Sequence, residues 1–389
     1  MQNFTYCTPT KLVFGKGVIS RLPETMGLYG KKILLTYGGG SIKRIGLYDK
    51  IRELLKDFEI TELGGIEPNP KYSTSVVEGM KLCKAKGIDV ILAAGGGSVL
   101  DCSKAIAAGA CYDGETWDLI TNKVPVKAAL PIVDIITMAA TGSEYDNGGV
   151  ISRTETNDKI GFGSDFLFPK VSFIDPQYTY SVPEKQMLAG VADALNHVME
   201  QYFNSDPNDF ADGMMEASMR SLIKNVKIAK KNPTDYNARA EIFLNCTLDC
   251  NGILALGESY SGWPMHAMEH ALSAYYDITH GIGLAILTPR WMKHILSNKT
   301  EGRIANYGVK VFGIDPSLPE RYKAEKAIEE TYALFDNLGI PMHLKEVGID
   351  ESRLAEMAHH VTEDRSLEAD YVYAPLSEKD ILEIFQASL

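Results

Sequence analysis

Five side chains in the second half of the chain could together hold a metal ion. Asp193 and His197 lie four residues apart in GVADALNHVMEQYF, and His266 and His270 repeat that spacing in WPMHAMEHALSAYY. Because residues four apart share one face of a helix, each pair can reach a single ion. His280 opens the next segment, THGIGLAILTP, and is the fifth candidate donor.

The types of these donors indicate which metals fit. Carboxylate mixed with imidazole suits Zn²⁺ or Fe²⁺, whereas Ca²⁺ and Mg²⁺ prefer shells made of oxygen. A structural zinc site would more often use cysteines, and the six cysteines include no C-x-x-C pair. We therefore predict an open, catalytic site for one divalent ion, Fe²⁺ or Zn²⁺. The spacing alone leaves open which histidine is not a ligand.

Two strand-like runs end in the same tetrapeptide, and each leads into a predicted helix. The tetrapeptides are Gly38-Gly39-Gly40-Ser41 and Gly95-Gly96-Gly97-Ser98. Consecutive glycines let the backbone approach a phosphate, and the helix start offers free N–H groups. Neither run is the G-x-G-x-x-G fingerprint, because Leu100 stands in place of the third glycine. A tight turn without a ligand is the alternative, but two matched loops favour one bound dinucleotide.

Further residues could contact that dinucleotide. The segment PIVDIITMAATGSE offers three hydroxyl groups, those of Thr137, Thr141 and Ser143. The alternative is that Thr141 or Ser143 only caps the next element. After the first sheet strand stand Ser41, Lys43 and Arg44, with no carboxylate to accept the ribose hydroxyls as in NAD enzymes. The pattern favours NADP(H) over NAD(H), unless Lys43 and Arg44 form only a solvated helix face.

Two domains should carry these residues, because 389 residues exceed one ordinary core. Residues 30 to about 180 alternate β-rich and helical stretches, which predicts a Rossmann-like α/β domain with a parallel sheet. FTYCTPTKLVFGKG predicts two strands around Pro9, as a hairpin or an edge exchanged with a partner. Beyond 180 we predict amphipathic helices over 185–203, 210–230, 236–256, 263–275 and 282–297. The predicted domains are 1–180, binding the dinucleotide, and 181–389, all-α and binding metal and substrate.

Composition excludes several other classes of protein. The net charge of -12 disfavours a nucleic-acid partner, since such proteins carry basic patches. No apolar run approaches the roughly 20 residues of a membrane span. The N-terminal segment lacks the features of a secretory signal, so we expect a cytoplasmic protein.

The chain resembles the iron-containing (group III) alcohol dehydrogenase family, most closely its butanol dehydrogenase and broad-range NADPH-dependent aldehyde reductase branch. The motifs are TPTKLVFGKG, TYGGGSIKRIG, AAGGGSVLDCSKAIA, ATGSE, IDP, GVADALNHVMEQYF and HAMEHALSAYYDITHGIGLAILTP. The resemblance implies a dehydroquinate synthase-like architecture and a homo-oligomer, dimeric or larger. It implies the metal ligands Asp193, His197, His266 and His280. His270 would then be the catalytic residue, beside the substrate and active in proton transfer.

The resemblance also bears on the cofactor and the reaction. It implies that residues 95–98, Asp101 and Lys159 contact the dinucleotide. NAD-specific members carry an aspartate where this chain has Gly39, which again favours NADP(H). The implied reaction interconverts primary alcohols and aldehydes of butanol size and broader range, mainly as aldehyde reduction. The alternatives are a dehydroquinate synthase-like or glycerol dehydrogenase-like enzyme, or, in another class, a metal-dependent hydrolase or metal-binding protein.

Overall fold

Six of the strands in the first half of the chain form a parallel sheet. In chain order the strands are β1 (Lys11–Phe14), β2 (Lys32–Tyr37), β3 (Glu59–Leu63), β4 (Val90–Gly95), β5 (Ile132–Ile136), β6 (Gly148–Arg153), β7 (Asp158–Gly163) and β8 (Val171–Ile174). The sheet order is β1-β8-β5-β4-β2-β3, with every neighbouring pair parallel. β6 and β7 form a separate antiparallel hairpin. The structure is a computed structural model that describes residues 1–364 and 367–389.

Alternate residues of the central strands pack into two cores, one on each face of the sheet. Leu34 and Ile91 belong to one core, whereas Ile33, Leu35 and Leu92 belong to the other. A parallel sheet requires both faces to be covered, and its central strands are therefore apolar on both sides. This explains why the central strand β4, whose sequence is VILAAG, is apolar throughout rather than alternating.

Helices cover the sheet and dominate the second half of the chain. In chain order they are α1 (Leu22–Gly27), α2 (Ser41–Arg44), α3 (Leu47–Leu54), α4 (Val77–Lys86), α5 (Gly97–Ala110), α6 (Thr116–Ile120), α7 (Glu184–Tyr202), α8 (Asp209–Lys231), α9 (Tyr236–Leu248), α10 (Pro264–Tyr276), α11 (His280–Ile295), α12 (Glu301–Tyr307), α13 (Glu320–Leu338), α14 (Leu354–Asp364) and α15 (Glu378–Ala387). The predicted α/β region followed by a helical region is confirmed. Among the described residues, no helix is both long and apolar enough to cross a membrane.

The chain divides into two compact units by its internal contacts. The sheet unit comprises Cys7–Pro183 and Pro233–Asn251, and the helical unit comprises Met1–Tyr6, Glu184–Asn232 and Gly252–Leu389. The chain therefore returns to the sheet unit at α9, where Phe243 joins a core and Thr247 Oγ1 donates to Glu144 Oε1 at 2.7 Å. The predicted division at residue 180 does not include this return. An amphipathic helix does not reveal in sequence which core its apolar face joins.

Two local predictions are wrong. No strand precedes Lys11 in the described residues, so the hairpin around Pro9 is absent. β1 instead lies parallel to the chain's own β8, with Val13 opposite Phe173. The helix predicted over 236–256 ends at Leu248, and a short 3₁₀ helix follows at Ile253–Ala255 after Gly252, whose φ is 83°.

α7 is the most deeply buried helix near the metal-binding motifs. All of its residues from Met187 to Tyr202 are buried, and it packs against α8, α10 and α11. Because buried polar groups need partners inside the protein, the polar side chains of α7 must be satisfied by neighbouring helices. Asp193, His197 and Glu200 are such side chains.

Candidate metal centre and cofactor loops

Four polar side chains from three helices meet inside the helical unit. Asp193 and His197 lie on α7, His266 lies on α10, and His280 is the first residue of α11. The Nε2 atoms of His197, His266 and His280 lie 3.4, 3.7 and 3.5 Å from Oδ1 of Asp193. Ligand atoms about 2.1 Å from one tetrahedral ion lie roughly 3.4 Å apart. The structure thus brings together the four residues predicted as ligands, at a spacing that fits one ion.

Two of these atoms have no hydrogen-bond partner. Oδ1 of Asp193 and Nε2 of His266 are buried without a partner among the described residues, although buried polar atoms are normally paired. An ion between them would satisfy both atoms. The donor set of one carboxylate oxygen and three imidazole nitrogens fits Fe²⁺ or Zn²⁺.

A glycine allows α11 to come close enough to bring His280 to the centre. A Cβ on Gly281 would stand 1.9 Å from the carbonyl oxygen of Ala189. The backbones of α7 and α11 therefore touch where a side chain could not fit. Ala189 lies one helical turn before Asp193, and Gly281 directly follows His280. This contact fixes His280 beside Asp193.

Glu200 orients His266 and holds the start of α10. Its side chain is fully buried. Oε1 accepts the backbone N–H of Met265 at 2.5 Å, and Oε2 accepts the backbone N–H of His266 at 3.3 Å and also contacts its Nδ1. A proton on Nδ1 leaves the lone pair on Nε2, so the carboxylate selects the tautomer whose lone pair faces Asp193.

Glu269 lies beside His280 as Glu200 lies beside His266. Its fully buried carboxylate contacts Nδ1 of His280 and Oγ of Ser273. Sequence reasoning missed both glutamates. A signal was present, because Glu200 and Glu269 each stand three residues after a predicted histidine ligand and directly after a methionine.

The charge of the surroundings suits a cation. Burial opposes ionisation of Asp193, but the imidazoles of His197, His280 and His266 outweigh it and hold the pKa of Asp193 below its usual range. For His266, burial lowers the pKa, while the Glu200 carboxylate and Asp193 raise it overall. Carboxylates thus outnumber permanent cations at the centre, which attracts a divalent ion.

His270 lies beside the centre on α10. The centre of its ring is 6.4 Å from that of His266 and 5.6 Å from that of His280. One of its nitrogens lies within 4.8 Å of donor atoms of both Glu269 and His280. The side chain is only partly buried, so it is placed to exchange protons near the centre.

The two glycine tetrapeptides lie at the carboxyl ends of adjacent strands. Residues 38–41 follow β2, residues 95–98 join β4 to α5, and β2 pairs with β4. A Cβ on Gly97 would stand 2.4 Å from Oγ1 of Thr141, so the predicted third segment presses against this loop. The backbone N–H of Thr137 donates to the carbonyl of Gly95 at 2.8 Å. A glycine turn that opens a helix in this way suits a phosphate.

Two other residues predicted to contact the cofactor belong to a buried network under this loop. Oγ of Ser143 donates to Oδ1 of Asp101 at 2.7 Å and accepts from Nζ of Lys104 at 3.0 Å. Lys104 is fully buried and also pairs with Asp146 at 2.7 Å. Burial raises the pKa of Asp101 to about 6, although Lys104 and Ser143 oppose that rise. Sequence reasoning missed Lys104, and cofactor contact by Ser143 and Asp101 stays a prediction.

Lys159 lies in the hairpin next to a second lysine. Lys159 pairs with Ser152 across β6 and β7, and Lys71 forms a bridge to the same Ser152. Residues paired directly across strands project from one face, so both lysines flank this buried serine. The sequence analysis did not identify Lys71 as a neighbour of this site. Cofactor contact by Lys159 stays a prediction.

The turn after β2 has no acidic side chain. Nothing lies within 4 Å of the position that a Cβ on Gly39 would take. Nζ of Lys43 lies 4.9 and 4.7 Å from the ring centres of Tyr37 and Tyr48. Both tyrosine hydroxyls donate to Glu62, at 3.0 and 2.7 Å. Lys43 is therefore held against aromatic rings near the turn rather than projecting only into solvent.

Comparison with known proteins agrees with this geometry. Residues 9–176 match the family model of iron-containing alcohol dehydrogenase, and residues 187–389 match the Fe-containing alcohol dehydrogenase family, C-terminal. NADH-dependent butanol dehydrogenase A of Clostridium acetobutylicum is 46% identical, covering 100% of both chains. NADPH-dependent aldehyde reductase YqhD of Escherichia coli is 36% identical over 93% of this chain and 94% of its own. The crystal structure of NADH-dependent butanol dehydrogenase A of Thermotoga maritima has a TM-score of 0.95 at 36% identity, covering 100% of this chain and 99% of that one.

Proposed function

The chain belongs to the iron-containing alcohol dehydrogenase family, and on that premise we propose that it reduces aldehydes of butyraldehyde size and broader range to primary alcohols, and catalyses the reverse reaction. One observation carries the proposal: Asp193, His197, His266 and His280 converge, and Oδ1 of Asp193 and Nε2 of His266 are buried without a hydrogen-bond partner among the described residues. The family membership removes the support for a hydrolase or a metal-binding structural protein.

The residues of the centre have separate parts in this chemistry. When bound, a divalent ion polarises the carbonyl group and a reduced nicotinamide supplies the hydride. Asp193 and the three histidines would hold that ion, Fe²⁺ or Zn²⁺. Glu200 and Glu269 contact Nδ1 of His266 and His280 and favour the tautomer whose lone pair is on Nε2. His270 would pass a proton to the substrate oxygen, since imidazole can carry one near neutral pH.

The division of roles between His266 and His270 can be tested directly. We expect His270→Ala to retain metal and cofactor binding while turnover slows by about 10²- to 10⁴-fold. The purified His266→Ala variant should instead contain less metal than the native protein. Metal analysis and fluorescence titration with NADPH give the two binding readouts. Equal loss of metal from both variants would refute this assignment.

We also propose a preference for NADP(H) over NAD(H). Its support is the open Gly39 and the neighbouring Ser41 and Lys43, which suit a 2′-phosphate better than a bare ribose. The names of the relatives divide, because the Clostridium enzyme is called NADH-dependent and the Escherichia coli enzyme NADPH-dependent. Dissociation constants for both cofactors decide the matter, and tighter NADH binding would overturn the proposal.

The metal and the substrate are best tested together. Metal analysis of the purified protein, followed by removal and reconstitution with Fe²⁺ or Zn²⁺, shows which ion restores NADPH oxidation. A panel of aldehydes of increasing chain length then gives the substrate range. If no metal-restored activity appears with any aldehyde, the proposed reaction is refuted. Cytoplasmic location and a homo-oligomer stay predictions, and light scattering on the purified protein would test the latter.

A further inference from the structure

Trp263 adopts a backbone conformation that its side chain does not favour. Its φ and ψ are 53° and 54°, in the left-handed region, and Pro264 follows it. Five non-glycine residues in the described part of the chain have positive φ, and the other four are asparagine or aspartate, which tolerate this region. A bulky residue there is strained, and a residue before proline also favours extended backbone.

The residues on either side hold the chain in a tight turn at Trp263. Gly262 is also left-handed, with φ of 87°, and a Cβ there would stand 2.7 Å from Cγ2 of Val372. Pro264 begins α10, and the carbonyl of Trp263 accepts the N–H of Ala267 at 3.0 Å. The chain therefore turns sharply from a close contact at Gly262 into the first turn of a helix.

The turn places the indole against two of the candidate metal ligands. The ring centre of Trp263 is 5.1 Å from that of His266 and 5.9 Å from that of His197, with interplanar angles of 81° and 67°. The two imidazoles are stacked on each other at 4.9 Å and 15°. Edge-to-face aromatic pairs are attractive and depend on orientation. The indole thus restricts the planes of both imidazoles at once.

We propose that Trp263 is a positioning residue, whose left-handed backbone directs the indole against His197 and His266 and fixes both rings for metal binding. This inference rests on the proposed metal centre. The turn alone does not account for the residue, because glycine or asparagine would make the same turn with less strain. A strained conformation persists where the surrounding structure requires it, and such residues cluster at functional sites.

Three variants test the proposal, with the native protein as the reference: Trp263→Phe, Trp263→Ala and Trp263→Gly. Metal-free samples are titrated with Zn²⁺ against a chromogenic chelator, and with Co²⁺ to record the visible absorption of the bound ion. We expect the alanine and glycine variants to bind Zn²⁺ about 10- to 100-fold more weakly and to show shifted Co²⁺ bands. The phenylalanine variant, which keeps a ring, should fall between them and the native protein.

Denaturant unfolding of the metal-free samples separates positioning from stability. Trp263→Gly should unfold at higher denaturant than Trp263→Ala, because both lack the indole but glycine carries no left-handed strain. Asn122, with φ of 56°, gives a control pair outside the helical unit: Asn122→Gly and Asn122→Ala should differ in stability in the same direction, with native Zn²⁺ affinity in both.

The outcomes distinguish this inference from the proposed function. Native Zn²⁺ affinity and an unshifted Co²⁺ spectrum in Trp263→Gly would overturn the positioning role, whatever the change in stability. If the native protein binds neither ion at one equivalent, the metal centre itself is refuted.

Discussion

Exchanging Glu200 for glutamine should weaken metal binding although the two side chains have nearly the same shape. The carboxylate accepts the backbone N–H groups of Met265 and His266 and contacts Nδ1 of His266. A glutamine has one acceptor oxygen and one N–H₂ donor. If the oxygen stays on the backbone, the N–H₂ group faces Nδ1 and drives the imidazole proton to Nε2, the atom that must bind the ion. If the amide turns over, its donor meets the unpaired N–H groups that open α10.

The size of the effect follows from the hydrogen bond that is lost. A hydrogen bond to a charged partner contributes about 1.5–3 kcal/mol, and each 1.4 kcal/mol is tenfold in affinity. We therefore expect Zn²⁺ to bind Glu200→Gln about 10- to 100-fold more weakly, in agreement with the usual effect of residues that orient metal ligands.

Competition with a chromogenic chelator measures this affinity in metal-free protein. The matched control is Glu216→Gln, because Glu216 is another buried carboxylate of the helical unit that accepts from the hydroxyl of Tyr202 at 3.3 Å. We expect the control to bind Zn²⁺ like the native protein. Native affinity in Glu200→Gln would show that this carboxylate does not set the tautomer of His266.

Three further predictions concern packing, pH and cofactor choice. Gly281→Ala should lower the free energy of unfolding by about 1–3 kcal/mol or more, because its methyl would lie 1.9 Å from the Ala189 carbonyl; urea unfolding measures the loss, and a native midpoint would contradict it. Burial raises the pKa of Glu144 to about 7, so the folded state retains a proton that the unfolded chain releases near pH 4.3, and stability falls as pH rises through that window. Glu144→Gln should therefore raise the urea midpoint at pH 8 and leave it nearly unchanged at pH 4.5. Equal effects at both pH values would show that ionisation of the buried Glu144 carboxyl does not destabilise the fold. Gly39→Asp should weaken NADPH binding far more than NADH binding in fluorescence titrations, and equal weakening would place the 2′-phosphate elsewhere.

Sequence spacing was sufficient to predict which candidate ligands share a face of one helix. The four-residue intervals put Asp193 with His197, and His266 with His270, on shared helix faces because helix geometry is local. Spacing could not decide whether His266 or His270 meets Asp193, since that depends on how α10 lies against α7. Family resemblance supplied that choice. Neither spacing nor resemblance predicted the contact at Gly281 that brings α11 close to α7.

In the fold, too, features set by local sequence were predicted, and features set by distant partners were missed. The alternation of β-rich and helical stretches predicted a parallel sheet, and β2 and β4 are neighbouring parallel strands in it. The Lys104 network and the two buried glutamates were missed, because a charged residue in a helical pattern gives no sign in sequence of the partner that neutralises it. The partner comes from a segment far along the chain, as Ser143 does for Lys104.

The return of α9 to the sheet unit has a consequence for dissecting this enzyme and for its synthesis. A fragment cut after residue 180 would leave Glu144 without the Thr247 hydroxyl and one core without Phe243. Such a fragment would expose apolar surface and aggregate. On the ribosome, likewise, the sheet unit stays incomplete until residue 251 has emerged. At that point α7 has been made, but α10 and α11, which pack against it, have not. A gene fusion of residues 7–183 to 233–251 would contain the whole sheet unit, including Thr247 and Phe243.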